Sequence, residues 1–109
     1  MNWNILNSES QLQEIVPKSQ SKPQVIFKHS IRCSVSAVIK DRLERKKQPA
    51  DIDFYYLDLI NYRDISNKVA RDFGVDHESP QILLIKNGVA IYDESHLSIR
   101  MDEITAQAM

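Results

Sequence analysis

Between Gln24 and Leu59 the hydrophobic period switches from strand to helix and back to strand, and this switch restricts the possible folds more than any other feature of the chain. Val25-Ile26-Phe27 is a short apolar run of strand formers, read as a buried strand over about Gln24 to His29. From Cys33 the spacing changes. Val35, Val38, Ile39 and Leu43 recur at helical intervals, with Lys40, Asp41, Arg42, Glu44 and Arg45 between them. This predicts an amphipathic helix ending near Lys47, ahead of Gln48-Pro49. Ile52 to Leu59 then reads as a second strand, with Ile52, Phe54 and Tyr56 alternating. Two strands joined by one helix predict a parallel, right-handed βαβ unit.

The flanking segments extend this unit. Ser8 with Gln11 three residues on has the form of a capping box, and Leu12, Ile15 and Val16 give the following helix one apolar face, with Pro17 near its end. Asn61 is a candidate cap for a helix whose stripe is Tyr62, Ile65, Val69 and Phe73, with Gly74 placed to end it. After Pro80, Ile82 to Ile85 reads as a buried strand. Asn87-Gly88 favours a type I′ hairpin turn, and Val89 to Tyr92 is the returning strand. Leu97, Met101, Ile104 and Ala108 fall at helical spacing, with Ser98 as cap. The expected fold class is α/β: a mixed four-stranded sheet, made of a parallel βαβ unit plus an antiparallel hairpin, flanked by helices. Residues 1–109 are expected to form one domain.

Bulk properties exclude several functions. A net charge of −1 over 109 residues argues against nucleic acid or an anionic membrane as partner. There is no apolar run long enough to span a bilayer. Met1-Asn2-Trp3-Asn4 lacks the basic and apolar regions of a secretory signal. One cysteine cannot form an internal disulfide, and together these features lead to the expectation of a reducing cytoplasm. No phosphate-binding glycine loop, dinucleotide fingerprint or H-E-x-x-H motif is present. His77 and His96 have no metal-ligand spacing to each other or to Cys33, so no metal or resident cofactor is expected.

The informative stretch is Phe27-Lys28-His29-Ser30-Ile31-Arg32-Cys33-Ser34-Val35-Ser36. It sets the one thiol where a strand hands over to a helix. Unpaired amides and the macrodipole favour negative charge there, and Arg32 adds a neighbouring cation. For a thiol so placed, a larger thiolate fraction is partly offset by lower nucleophilicity, with a Brønsted slope of about 0.4–0.5. The larger gain is a better leaving group, which suits a sulfur that must be released from a mixed disulfide. Three residues on stands Ser36, whose hydroxyl cannot resolve a disulfide, so exchange chemistry here must be monothiol. A buried, inert helix-start cysteine is the competing reading. His29, at the strand end, is either a proton-transfer or thiolate-stabilising group or merely the end of the strand.

His29-Ser30-Ile31-Arg32-Cys33-Ser34-Val35-Ser36 resembles the active-site segment of the monothiol bacilliredoxins, thioredoxin-like proteins of the bacillithiol system. The element order and Glu78-Ser79-Pro80-Gln81-Ile82 extend the likeness over most of the chain. The chain departs from it at Ser34, where proline often follows the cysteine. The resemblance implies a thioredoxin-like fold with Cys33 as nucleophile and Ser36 in the lost resolving position. It also implies a cis Pro80 facing the cysteine, and Ser79 offering its backbone to a substrate segment. Arg32, Ser34, Ser36 and His29 are then candidates to stabilise the thiolate or touch substrate. The implied partners are S-thiolated client proteins, with a low-molecular-weight thiol, bacillithiol, as co-substrate. Glutathione or coenzyme A could take that place, and a non-catalytic binding module or a thiol-capped sensor are the other classes compatible with the residues.

Overall fold

The computed structural model describes all 109 residues, Met1–Met109. In chain order the elements are β1 (Trp3–Ile5), α1 (Glu9–Lys18), β2 (Gln24–His29), α2 (Ser34–Glu44), β3 (Asp53–Asp58), α3 (Arg63–Phe73), β4 (Gln81–Lys86), β5 (Val89–Ser95) and α4 (Met101–Ala108). The strands form one sheet in the order β1-β3-β2-β4-β5. β2 and β3 are parallel, from Gln24 opposite Asp53 to His29 opposite Asp58, so the βαβ unit is the centre of the fold. β4 runs antiparallel to β2 and turns back into β5 through Asn87 and Gly88, whose φ values of 55° and 80° suit a type I′ turn.

Period-two alternation sends residues of each central strand to two separate cores. Val25 and Phe27 of β2, with Ile82 and Leu84 of β4, pack with Ile39 and Leu43 of α2 and with Met101 and Ile104 of α4. Ile26, Leu83 and Ile85 point the other way, onto Leu12 and Ile15 of α1 and Ile65 and Val69 of α3. The result is three layers, with helices on both faces. Full burial of Ile39 and Leu43 contributes on the order of 1.5–3 kcal/mol each and fixes α2 against the sheet.

Several sequence expectations need correction. The sheet has five strands, not four. β1 is three residues long, too short for the alternation of Trp3, Asn4 and Ile5 to mark a strand. It forms by parallel pairing with β3, while Trp3 stacks on Phe27 at 5.5 Å and its Nε1–H donates to Glu44 of α2 at 2.8 Å. The helix after β2 stops at Glu44 rather than near Lys47, and Val38 lies on its solvent face, because the buried stripe is Ser36, Ile39 and Leu43. Tyr62, not Asn61, is the N-cap of α3, and the turn before it is held by the Asp58 carboxylate, which accepts from Ile60 N–H and Asn61 N–H. β5 runs on to Ser95. His96–Ser98 then form a 3-10 turn, so α4 is capped by Arg100 instead of Ser98 and Leu97 is exposed. Ser8 caps α1 as expected, and Gly74 ends α3 at φ 65°, a left-handed position that glycine takes without strain.

Candidate functional site

Where β2 ends, the chain makes one turn before α2. Ser30 O accepts from Cys33 N–H at 3.1 Å and Ser30 Oγ accepts from Arg32 N–H at 3.3 Å, which closes the turn over Ile31 and Arg32. Cys33 is the N-cap of α2, with extended φ/ψ of −109° and 117°, and its carbonyl accepts from Ala37 N–H at 3.2 Å. Its sulfur is half-buried and makes no hydrogen bond with the helix's first turn. No acidic residue lies in that turn, so the amides of Ser34, Val35 and Ser36 carry no competing side-chain anion. Arg32 is exposed and takes part in no salt bridge, and Ser34 is exposed on the first turn.

Ser36 holds this turn from below. It is fully buried, and its Oγ accepts from Ser30 N–H at 3.1 Å while sharing a 3.0 Å hydrogen bond with His29 Nδ1. The position where a second sulfur would stand is thus occupied by a hydroxyl committed to the fold. His29 is buried beside Tyr56, with ring centres 5.3 Å apart, and the Lys40 ammonium lies 5.7 Å from the same Tyr56 ring. Burial, followed by the charge on Lys40, holds the His29 imidazole below its usual 6.5, against the opposing pull of Asp58 and Glu44. Ser36→Ala leaves Ser30 N–H and His29 Nδ1 without this partner in a dry site. It is expected to cost about 1–3 kcal/mol in urea denaturation, whereas a change below about 0.5 kcal/mol means the hydroxyl does not hold the turn.

The second half of the site comes from the start of β4. Lys28 is opposite Gln81 in the ladder, which sets Pro80 and Ser79 at the same end of the sheet as His29 and the Cys33 turn. The Ser79–Pro80 peptide bond is cis. Pro80 is buried and its carbonyl accepts from His96 N–H at 2.9 Å, while Ser79 Oγ is buried without a partner. Ile31 and Leu97, 62% and 60% exposed, are apolar side chains left open on the Cys33 turn and beside His96. The three surface clefts, of about 520, 320 and 380 Å³, are lined by neither Cys33 nor Ser79 nor Pro80.

Sequence reasoning missed Lys28. It is fully buried one residue before the end of β2, and its Nζ donates to His77 Nδ1 at 3.3 Å. Burial lowers its pKa from 10.5 to about 8. A lysine inside a run read as wholly buried was the available signal. His77, set aside for lack of metal spacing, is brought to within 3.4 Å of Ser66 Oγ as well.

Comparison with known proteins agrees with this geometry. Residues 4–104 match the family described as Monothiol bacilliredoxin BrxC. A provisionally assigned oxidoreductase with a thioredoxin fold superimposes with a TM-score of 0.84 at 28% identity, over 96% of this chain and 92% of that one. The thioredoxin of Malassezia sympodialis (Mala s 13) gives 0.79 at 19% identity, over 99% and 92% of the two chains. Fasciola hepatica thioredoxin gives 0.72 at 18% identity, over 95% and 98%. The last two are similar to this chain in fold alone.

Proposed function

The chain belongs to the monothiol bacilliredoxin family, and on that premise we propose that it removes a low-molecular-weight thiol, bacillithiol, from S-thiolated client proteins in a reducing cytoplasm. The Cys33 thiolate attacks the small-thiol sulfur of the mixed disulfide. The client–sulfur bond breaks, the client leaves as thiolate and takes a proton from water, and Cys33 carries the small thiol as a new disulfide. A second thiolate then attacks the small-thiol sulfur of that adduct. It supplies the two electrons, releases Cys33 and departs as the low-molecular-weight disulfide. Ser79 offers its backbone to the client segment beside Cys33.

One observation carries this reading. The only thiol is half-exposed at a helix start, and the position one turn on is a buried serine hydrogen-bonded into the turn, so resolution must come from outside.

The test is reduction of one client carrying bacillithiol, glutathione or coenzyme A in mixed disulfide, each with its own free thiol as reductant. The expected result is catalysed release with the bacillithiol pair preferred. Equal rates with and without the protein for all three would overturn the assignment, and preference for another pair would replace the small thiol.

A further inference from the structure

Between β2 and the connection that leads to Ser79–Pro80 lies a polar contact that the exchange chemistry does not use. Lys28 is fully buried on the face of β2 that carries Ile26, the side covered by α1 and α3. Its Nζ is in no salt bridge, and its hydrogen-bond partner is His77 Nδ1. An ammonium offers three N–H donors, so this is a poorly satisfied buried cation. His77 lies in the connection between α3 and β4, three residues before Pro80, and its Nδ1 is also 3.4 Å from Ser66 Oγ of α3. The same connection is braced by Gln81, whose side chain donates to Asp76 O at 2.9 Å and accepts from Glu78 N–H at 3.4 Å. The His77 side chain, exposed to solvent on its other side, is thus held between the central strand and a helix, just ahead of Ser79 and Pro80 in the chain.

We propose that Lys28 and His77 are positioning residues for client binding: the buried ammonium holds the His77 ring, and that grip fixes the Asp76–Pro80 connection so that the Ser79 backbone meets the substrate segment at a set height. This rests on the reading of Ser79 given above. The ammonium can only donate, so it fixes His77 Nδ1 as an acceptor and the imidazole as the neutral tautomer with its proton on Nε2. Burial and the charges of Lys28 and Arg63 push the same way, holding His77 below its usual 6.5. An uncompensated cation in a core is tolerated where it serves a site, because an apolar side chain of the same volume fills the space at lower cost.

The experiment compares the parent with Lys28→Met and His77→Ala by three readouts. The first two are steady-state reduction of a thiolated client and the rate of Cys33 alkylation by iodoacetamide. The third is amide hydrogen exchange at Glu78, whose N–H is held by Gln81. Each variant is expected to raise KM about five- to tenfold, the value of one lost hydrogen bond, and to speed exchange at Glu78 by a similar factor. kcat and alkylation stay within about twofold, because Cys33 belongs to the opposite turn. The double variant should be no worse than either single one. KM unchanged in Lys28→Met would overturn the proposal. So would exchange unchanged at Glu78, or alkylation falling in step with turnover, which would place the effect on the thiol. Should His77→Ala fail to fold, Lys28→Met alone decides. Should the parent show no turnover, the functional reading fails, while the exchange experiment, which needs no substrate, still decides this one.

Discussion

A Cys33→Ser variant is expected to lose reduction of a thiolated client by on the order of 10³-fold or more while remaining at least as stable as the parent. The loss follows from the chemistry. A hydroxyl is not ionised near neutral pH and forms no disulfide, and no other sulfur nucleophile exists in the chain except the thioether side chains of methionine. The gain in stability follows from the geometry. Residue 33 is the N-cap of α2, and the cysteine there makes no capping hydrogen bond. Serine is among the preferred N-caps, because its oxygen accepts from the second or third amide of the helix, and a good cap contributes about 1 kcal/mol. Activity assays and urea denaturation on the same sample check both halves. A variant that lost activity by unfolding would say nothing of the thiol. One that kept turnover would remove Cys33 from the reaction.

Lys28→Met is expected to stabilise the protein by about 2–3 kcal/mol at pH 7, with a rise in Tm on the order of 10 °C. The lysine amine falls from 10.5 to about 8 on folding because burial penalises the ammonium, and each pKa unit is worth about 1.4 kcal/mol. Below about pH 8 both the folded and unfolded chains carry the proton, and the whole penalty is present. Between about 8 and 10.5 the unfolded chain holds a proton that the folded chain has released, so stability from this group rises with pH across that window. In Lys28→Met that rise should vanish. Its denaturation curves at pH 7 and pH 10 should differ less than the parent's, with the variant the more stable at pH 7. A destabilised variant would mean that the amine is better satisfied than its one hydrogen bond to His77 indicates.

The two predictions share a physical theme. At residue 33 an uncapped helix start, and at residue 28 an unpaired buried cation, both stand where a more stabilising residue is available. Both flank the segment between the end of β2 and the start of α2. Sites that need reactive or strained groups commonly cost the fold in this way.

The central architecture was legible because β2, α2 and β3 are written in strong hydrophobic periods, and β2 matches its expected bounds from Gln24 to His29. The hairpin turn and the end of α3 were legible because Asn87-Gly88 and Gly74 occupy backbone positions with positive φ. β1 was not, since three residues whose pairing partner lies some fifty positions away leave no local signal. Val38 was misplaced because an apolar side chain at helical spacing looks like core, whereas the small polar Ser36 takes the buried stripe on account of its bonds to Ser30 and His29. At the site, the Cys33 position and the cis bond before Pro80 were anticipated from local pattern and family resemblance. The Lys28–His77 contact was not, because residues 49 apart in sequence meet only through the β2–β4 ladder.

The most direct test is intact mass spectrometry of the native protein mixed with an equimolar client carrying bacillithiol in mixed disulfide, sampled within one turnover. One bacillithiol adduct per chain is expected, located at Cys33, appearing as the client loses the same mass, and removed by added free thiol. A client that keeps its adduct while Cys33 stays unmodified would contradict it.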